Sequence, residues 1–157
     1  MWEKNDIPGV LTRHIKEFHD HRGWLAETFR IDETDSFRPQ MGYISVTKPG
    51  ITRGPHEHRD QTDYFCFFGK FSLYLWDNRK ESISYMKNVI IEDADRMIVI
   101  VPPRVVHAYK NNGDSDGMVL NFPDRLYRGW GKKEDVDEVR YEDNPESPFK
   151  IEIIKSQ

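Results

Sequence analysis

Two stretches decide how this chain is read: Gly50-Ile-Thr-Arg-Gly-Pro-His56-Glu-His58 and, later, Pro102-Pro-Arg-Val-Val-His107-Ala-Tyr-Lys-Asn111. His56 and His58 stand two apart, and the period of a β-strand puts both on one face. Outward from these stretches the chain alternates short apolar runs with turn residues. MGYISVT lies before the first stretch and closes on Lys48-Pro49-Gly50. After it, TDYFCFF runs through Gly69-Lys70 into FSLYLWD, which reads as a hairpin with alternating large apolar positions. SISYMKNVII, MIVIVP, VVHAYKN and GMVLNFP follow as further strands. Upstream, LTRHIKEF and WLAETFRI flank the turn DHRG. No amphipathic helix of ordinary length is expected before about residue 124. The expected fold is therefore all-β, a sandwich or barrel.

Composition narrows the class. The 157 residues suit one domain, with 10–123 supplying the barrel strands and 124–157 a short irregular or helical flap. The 27 acidic against 23 basic residues form no basic stripe, so no nucleic-acid partner is expected. No run approaches the roughly 20 apolar residues that span a bilayer, so no membrane association is expected. The N-terminus is too polar for a signal peptide. A single cysteine, Cys66, excludes an internal disulfide and reads as buried and inert between two phenylalanines. A cytoplasmic protein is the expectation. Twenty aromatic side chains argue for a lined, packed interior rather than disorder.

The two quoted stretches resemble the first and second motifs of the cupin fold. The first has a glycine, then His-x-His, an acid (Asp63) and a closing glycine (Gly69); the second is Pro-x-Gly-x-x-His-x-x-x-Asn with Arg104 at the glycine position. The resemblance implies a jelly-roll barrel, or double-stranded β-helix, with these histidines in its mouth. It also narrows further. Asp20-His-Arg22-Gly23-Trp-Leu-Ala-Glu27-Thr-Phe29, Arg53-Gly54-Pro-His56 and Gln40, thirteen residues before Arg53, resemble segments of the dTDP-4-dehydrorhamnose 3,5-epimerase family. So do Leu75-Trp-Asp77-Asn-Arg79-Lys-Glu-Ser82, Val101-Pro-Pro-Arg-Val-Val-His107-Ala and Arg140-Tyr-Glu-Asp-Asn-Pro145. All these segments fall in one order.

That resemblance implies an isomerase that epimerises a nucleotide-diphospho-4-keto-6-deoxy sugar in deoxysugar or cell-surface polysaccharide biosynthesis. A base removes the proton beside the ketone and an acid returns it. His56 matches the base. Arg22, Glu27, Phe29, Gln40 and Arg53 match substrate-holding positions, with His58, His107 and Asn121 alongside them. A neighbouring subunit contributes to the nucleotide edge in the family, which implies a homodimer. Three family positions differ. The lysine position falls on Thr62 beside Asp63; the tyrosine acid falls near Asn121, with Tyr127 six residues later; and the C-terminal aspartate has no counterpart after Pro148. Tyr127 is the candidate acid, and Asp63 or Glu57 the candidate group orienting His56.

The residues also carry other readings. No cofactor is the first expectation, but His56, His58, Asp63 and His107 form a donor set for one divalent metal ion. A 3,4-ketoisomerase needs the same base, and a catalytically silent sugar-binding cupin needs only the pocket. His14, His19 and His21 read as surface or turn residues. Asp77 and Arg79 read equally as a strand-end ion pair or a ligand contact.

Overall fold

A computed structural model describes residues 1–153. Its strands are β1 (Glu3–Lys4), β2 (Leu11–His14), β3 (Glu17–Asp20), β4 (Gly23–Ala26), β5 (Tyr43–Thr47), β6 (Thr52–His58) and β7 (Asp63–Phe68). Then come β8 (Phe71–Asp77), β9 (Asn88–Ile91), β10 (Met97–Val101), β11 (Val105–Asn111), β12 (Gly117–Asn121) and β13 (Glu138–Arg140). One sheet has the order β1-β2-β10-β7-β12-β5 and the other β13-β6-β11-β8-β9, while β3 and β4 form a separate hairpin. Every pairing among these strands is antiparallel. The fold is the all-β cupin-type barrel, and its helical content among the described residues is confined to 3-10 turns.

Period two explains the layers. On β7, Phe65 and Phe67 enter the core between the sheets, while Tyr64 and Cys66 pack beneath Trp2, Phe29, Phe37 and Phe122 on the outer face. On β11, Val105 and Tyr109 point inward, and Val106 and Ala108 meet Trp76 and Phe149 outside. Phe67, Phe71, Leu73 and Leu75 are fully buried. Each such side chain contributes about 1.5–3 kcal/mol of transfer free energy. Toward one end of the barrel the inward series turns polar: Asp63, His107 and Asn121 continue the rows of Phe65, Tyr109 and Val119.

The structure corrects three expectations. TDYFCFF and FSLYLWD are not a hairpin: β7 pairs with β10 and β12, whereas β8 pairs with β11 and β9. Gly69-Lys70 instead carries the chain from one sheet to the other. SISYMKNVII is a strand only over Asn88–Ile91, because residues before it turn to place Ser82 and Ser84 on Asp77. The tail does more than cover the barrel: its β13 extends the second sheet beside β6. No described helix is long and apolar enough to cross a membrane.

One glycine is required by a close approach. Gly54 lies at φ +86, and a Cβ there would come within 2.5 Å of the His107 carbonyl oxygen. The β6–β11 register is irregular beside it, between His107 and Tyr109, and His56 lies opposite His107. Arg104 has φ +61, a conformation that favours glycine, and its N–H donates to the His58 carbonyl at 2.8 Å.

Candidate active site

The polar end of the barrel opens into a cleft of about 1700 Å³. β6 supplies Arg53, His56 and His58; β5 supplies Tyr43 and Ser45; the tail supplies Tyr127, Trp130, Glu138, Arg140 and Glu142. His56 is largely buried, and its ring centroid lies 4.5 Å from that of His107. Burial above all, then the neighbouring His107, His58, Arg140 and Arg53, push the His56 imidazole down to about 2. It is therefore neutral near pH 7 and holds a free lone pair, as a base must. Among the described residues its Nδ1 has no hydrogen-bond partner, but it lies 3.7 Å from Glu138 Oε1 and 3.8 Å from Glu142 Oε2. These two carboxylates are placed to orient the ring and stabilise it once protonated. Glu57 is not: it points to the opposite face, accepting from Tyr141 at 2.7 Å and Asn78 at 3.0 Å.

Behind His56 lies a polar floor. Asp63 Oδ1 accepts from Gln61 Nε2 and Asn121 Nδ2, each at 2.8 Å. Asp63 Oδ2 faces His58 Nε2 at 3.3 Å and His107 Nε2 at 3.6 Å. His58, Asp63 and His107 bring one ligand atom each within 4.8 Å of one another. The four-residue metal set thus contracts to three among the described residues, and His56 stands outside it.

Asn121 Nδ2 also donates to the Tyr43 hydroxyl at 3.0 Å, which ties the phenol to this network. Burial and the Asp63 charge raise the Tyr43 phenol well above its ordinary value, so it stays protonated. Tyr109 is shifted the same way, chiefly by burial, and shares a 3.1 Å hydrogen bond with Ser45. Arg53 donates to Thr47 Oγ1 and the Val46 carbonyl, fixing its guanidinium along the wall.

His56, His58, Arg53, Gln40 and Tyr127 share the cleft, with Asp63, His107 and Asn121 forming or backing its floor. Tyr127 is half exposed on the rim. Three residues lie away from the cleft. Arg22 sits at the β3–β4 turn and is held by Asp20 at 2.5 Å. Glu27 pairs with Arg30, and Phe29 packs against Tyr64. The sequence reading missed Tyr43, Glu138 and Glu142. In Glu138-Val-Arg-Tyr-Glu142 the two acids stand four apart, which carries no clear signal in so short a segment.

The sequence model of the dTDP-4-dehydrorhamnose 3,5-epimerase family matches residues 4–144. The chain belongs to this family. It is an enzyme of the isomerase class, an epimerase by its family and relatives. A relative described as a probable low-salt glycan biosynthesis epimerase, Agl13 of Haloferax volcanii, is 32% identical over 140 residues, covering 86% of this chain and 87% of that one. A dTDP sugar isomerase from Desulfovibrio desulfuricans superposes with a TM-score of 0.80 at 19% identity, over 95% of this chain and 94% of that one. ChmJ, a 3'-monoepimerase from Streptomyces bikiniensis solved with dTDP-quinovose, gives 0.73 at 20% identity, over 87% and 71%.

Proposed function

We propose that this epimerase acts on a nucleotide-diphospho-4-keto-6-deoxyhexose, with His56 removing the proton on a carbon beside the ketone. The observation that carries the reading is the cleft-lining His56 imidazole, with Nδ1 3.7 Å from Glu138 Oε1 and 3.8 Å from Glu142 Oε2. Proton gain by His56 draws it toward those carboxylates, which offsets the burial cost of the imidazolium. Tyr43, kept protonated and tied to Asn121, takes the role of the acid that returns a proton. Tyr127, half exposed on the rim, suits a flat nucleotide base better than proton delivery. Arg53 and the rim residues Arg125 and Arg128 offer guanidinium forks to the diphosphate.

Arg22, Glu27 and Phe29 then serve a second copy's cleft, in a homodimer. The outer faces of β5 and β12 support this assembly, since they leave Ile44, Val46 and Met118 exposed. Light scattering at twice the monomer mass is the expected result. The buried, free Cys66 fits a reducing cytoplasm.

The test is deuterium exchange. With dTDP-4-keto-6-deoxyglucose in D2O, proton NMR should show signal loss at C3, C5 or both, with His56→Gln about a thousandfold slower. Loss at C3 alone identifies a single epimerase or a 3,4-ketoisomerase, which the identity of the product separates. Tight binding with no exchange at either carbon would overturn the reading in favour of a silent sugar-binding barrel.

A further inference from the structure

β13 carries or adjoins the two carboxylates that flank His56, yet it has little of its own to hold it. It is three residues long and lies at the edge of its sheet, paired with β6. So short an edge strand has few ladder bonds, and side chains must fix where it sits. Alternation divides its residues. Glu138, Arg140 and Glu142 line the cleft, while Tyr141 turns to the opposite face of the sheet and packs against Phe149, ring centroids 4.8 Å apart. There the Tyr141 hydroxyl donates to Glu57 Oε1 at 2.7 Å, and Asn78 Nδ2 donates to the same oxygen at 3.0 Å. Burial above all, then the Glu57 carboxyl, raise the Tyr141 phenol above its ordinary value, so it stays a donor. The Tyr141 N–H continues the ladder to the Pro55 carbonyl at 2.9 Å. At the other end of β13, the Asp137 carboxylate accepts from the backbone N–H groups of Arg59, Asp60 and Gln61, at 2.9, 3.0 and 3.0 Å. Glu57 is buried, and its second oxygen has no hydrogen-bond partner among the described residues. Burying a carboxylate with one oxygen bare costs stability, so its worth lies in what the other oxygen holds.

We propose that Glu57 is a positioning residue: through the Tyr141 hydroxyl it pins the end of β13 to β6, and so holds Glu138 and Glu142 at His56. The inference rests on the reading of His56 as the base. Distances on the cleft face show why the pin matters. Both carboxylates stand beyond direct hydrogen-bond reach of His56 Nδ1, at 3.7 and 3.8 Å. Arg140, the register partner of His56, competes for the same pair: its Nη2 lies 2.7 Å from Glu142 Oε1 and its Nε 3.9 Å from Glu138 Oε2. A shift of about 1 Å in β13 therefore decides whether a protonated His56 gains a charge-assisted bond or loses the carboxylate to Arg140. The linkage is short. Tyr141 adjoins Glu142 in the chain and Glu57 follows His56, so the outer-face bond and the cleft-face contact join the same two segments one residue apart. Glu57 touches nothing in the cleft; it works from behind the sheet.

The test has two arms, both on the full-length chain. Amide hydrogen exchange, read without substrate, should show Glu138–Arg140 losing protection about tenfold in Tyr141→Phe and Glu57→Leu, with β10 unchanged. Turnover of dTDP-4-keto-6-deoxyglucose in D2O reads the consequence. Tyr141→Phe and Glu57→Leu should each lower kcat at least about tenfold while KM stays within about twofold. Glu57→Gln, whose amide oxygen still accepts from Tyr141 and Asn78, should recover most of that loss. In a Glu138→Gln/Glu142→Gln background Tyr141→Phe should cost nothing further, because the pin acts through those carboxylates. A merely structural tyrosine would give the same loss in both backgrounds, and that result would overturn the proposal. So would unchanged β13 protection in Tyr141→Phe and Glu57→Leu, or a Glu57→Gln variant as impaired as Glu57→Leu. Failure of the underlying reading looks different: a wild-type chain that exchanges no substrate proton removes His56 as the base, while loss of β13 protection still shows the pin.

Discussion

Asp63 and Asp77 are both buried carboxylates at strand ends of the same barrel, yet their surroundings differ in kind. Asp77, closing β8, accepts from five donors: the Arg79 backbone N–H, two guanidinium nitrogens of Arg79, and the hydroxyls of Ser82 and Ser84. Burial alone would raise its pKa, but these bonds reverse the effect and hold the carboxyl well below the usual range. Arg79 also donates to the Pro8 carbonyl, tying the N-terminal segment to the barrel. Asp63, opening β7, has among the described residues two donors on one oxygen and none on the other, which faces two imidazoles. The satisfied carboxylate belongs to the scaffold. The half-satisfied one lies beside the cleft, where an incomplete set of partners leaves room for a ligand.

The contrast breaks if the two respond alike to loss of charge. Asp77→Asn removes the charge that the Arg79 guanidinium pairs with and turns amide N–H groups toward the N–H donors of Arg79, leaving only the serine hydroxyls able to reverse and accept, so urea unfolding should show a loss of about 3–4 kcal/mol. Substrate exchange by the folded fraction should stay near wild type. Asp63→Asn should give the opposite pattern. Its amide oxygen can still accept from Gln61 and Asn121, and its new N–H groups can serve the bare imidazole lone pairs. Stability should therefore change by no more than about 1 kcal/mol, while exchange falls at least about a hundredfold. A large stability loss in Asp63→Asn with exchange retained would reverse the assignment of the two roles.

Acid sharpens the same contrast. A carboxyl whose folded pKa is depressed adds stability that is fully present above its unfolded value, about 3.9, and is lost as pH falls toward the folded value. The gap in unfolding free energy between wild type and Asp77→Asn should be constant from neutrality to about pH 5 and then shrink below about pH 4. Urea titrations at several pH values read this directly. A gap that widens in acid would show that the Arg79 and serine bonds do not control this carboxyl.

The difference between these carboxylates also marks what the sequence could convey. Strand alternation was legible because apolar residues recur at period two, and His56-x-His58 with His107 stood out for the same reason. Period two does not say which sheet a strand joins, so β7 and β8, both nearly all apolar, read as a hairpin although they face each other across the core. Tyr43 escaped notice because counting along β12 led to Asn121, whereas the phenol lies across the register on β5, opposite that asparagine. Glu138 and Glu142 lie on or just beyond a three-residue strand, too short for any periodicity to emerge. Asp77 and Asp63 looked alike in sequence because a carboxylate's role depends on its donors. Those of Asp77 come from residues 79–84, close in the chain, while Asp63 depends on Asn121 from a distant strand.

That locality gives the smallest and most discriminating measurement. Ser82 and Ser84 both donate to Asp77 Oδ2, at 2.6 and 2.5 Å, and their hydroxyl oxygens lie 3.1 Å apart. Removing either hydroxyl leaves that oxygen with the other serine and Arg79 Nη2, so Ser82→Ala or Ser84→Ala alone should cost only about 1 kcal/mol. Removing both leaves the oxygen one donor, and the pair should cost more than the sum of the singles by about 0.5–1 kcal/mol. The coupling should vanish in the Asp77→Asn background, because the hydroxyls act through the carboxylate. A coupling that survives there would mean that the turn holds itself together, and that Asp77 is a passenger in its own network.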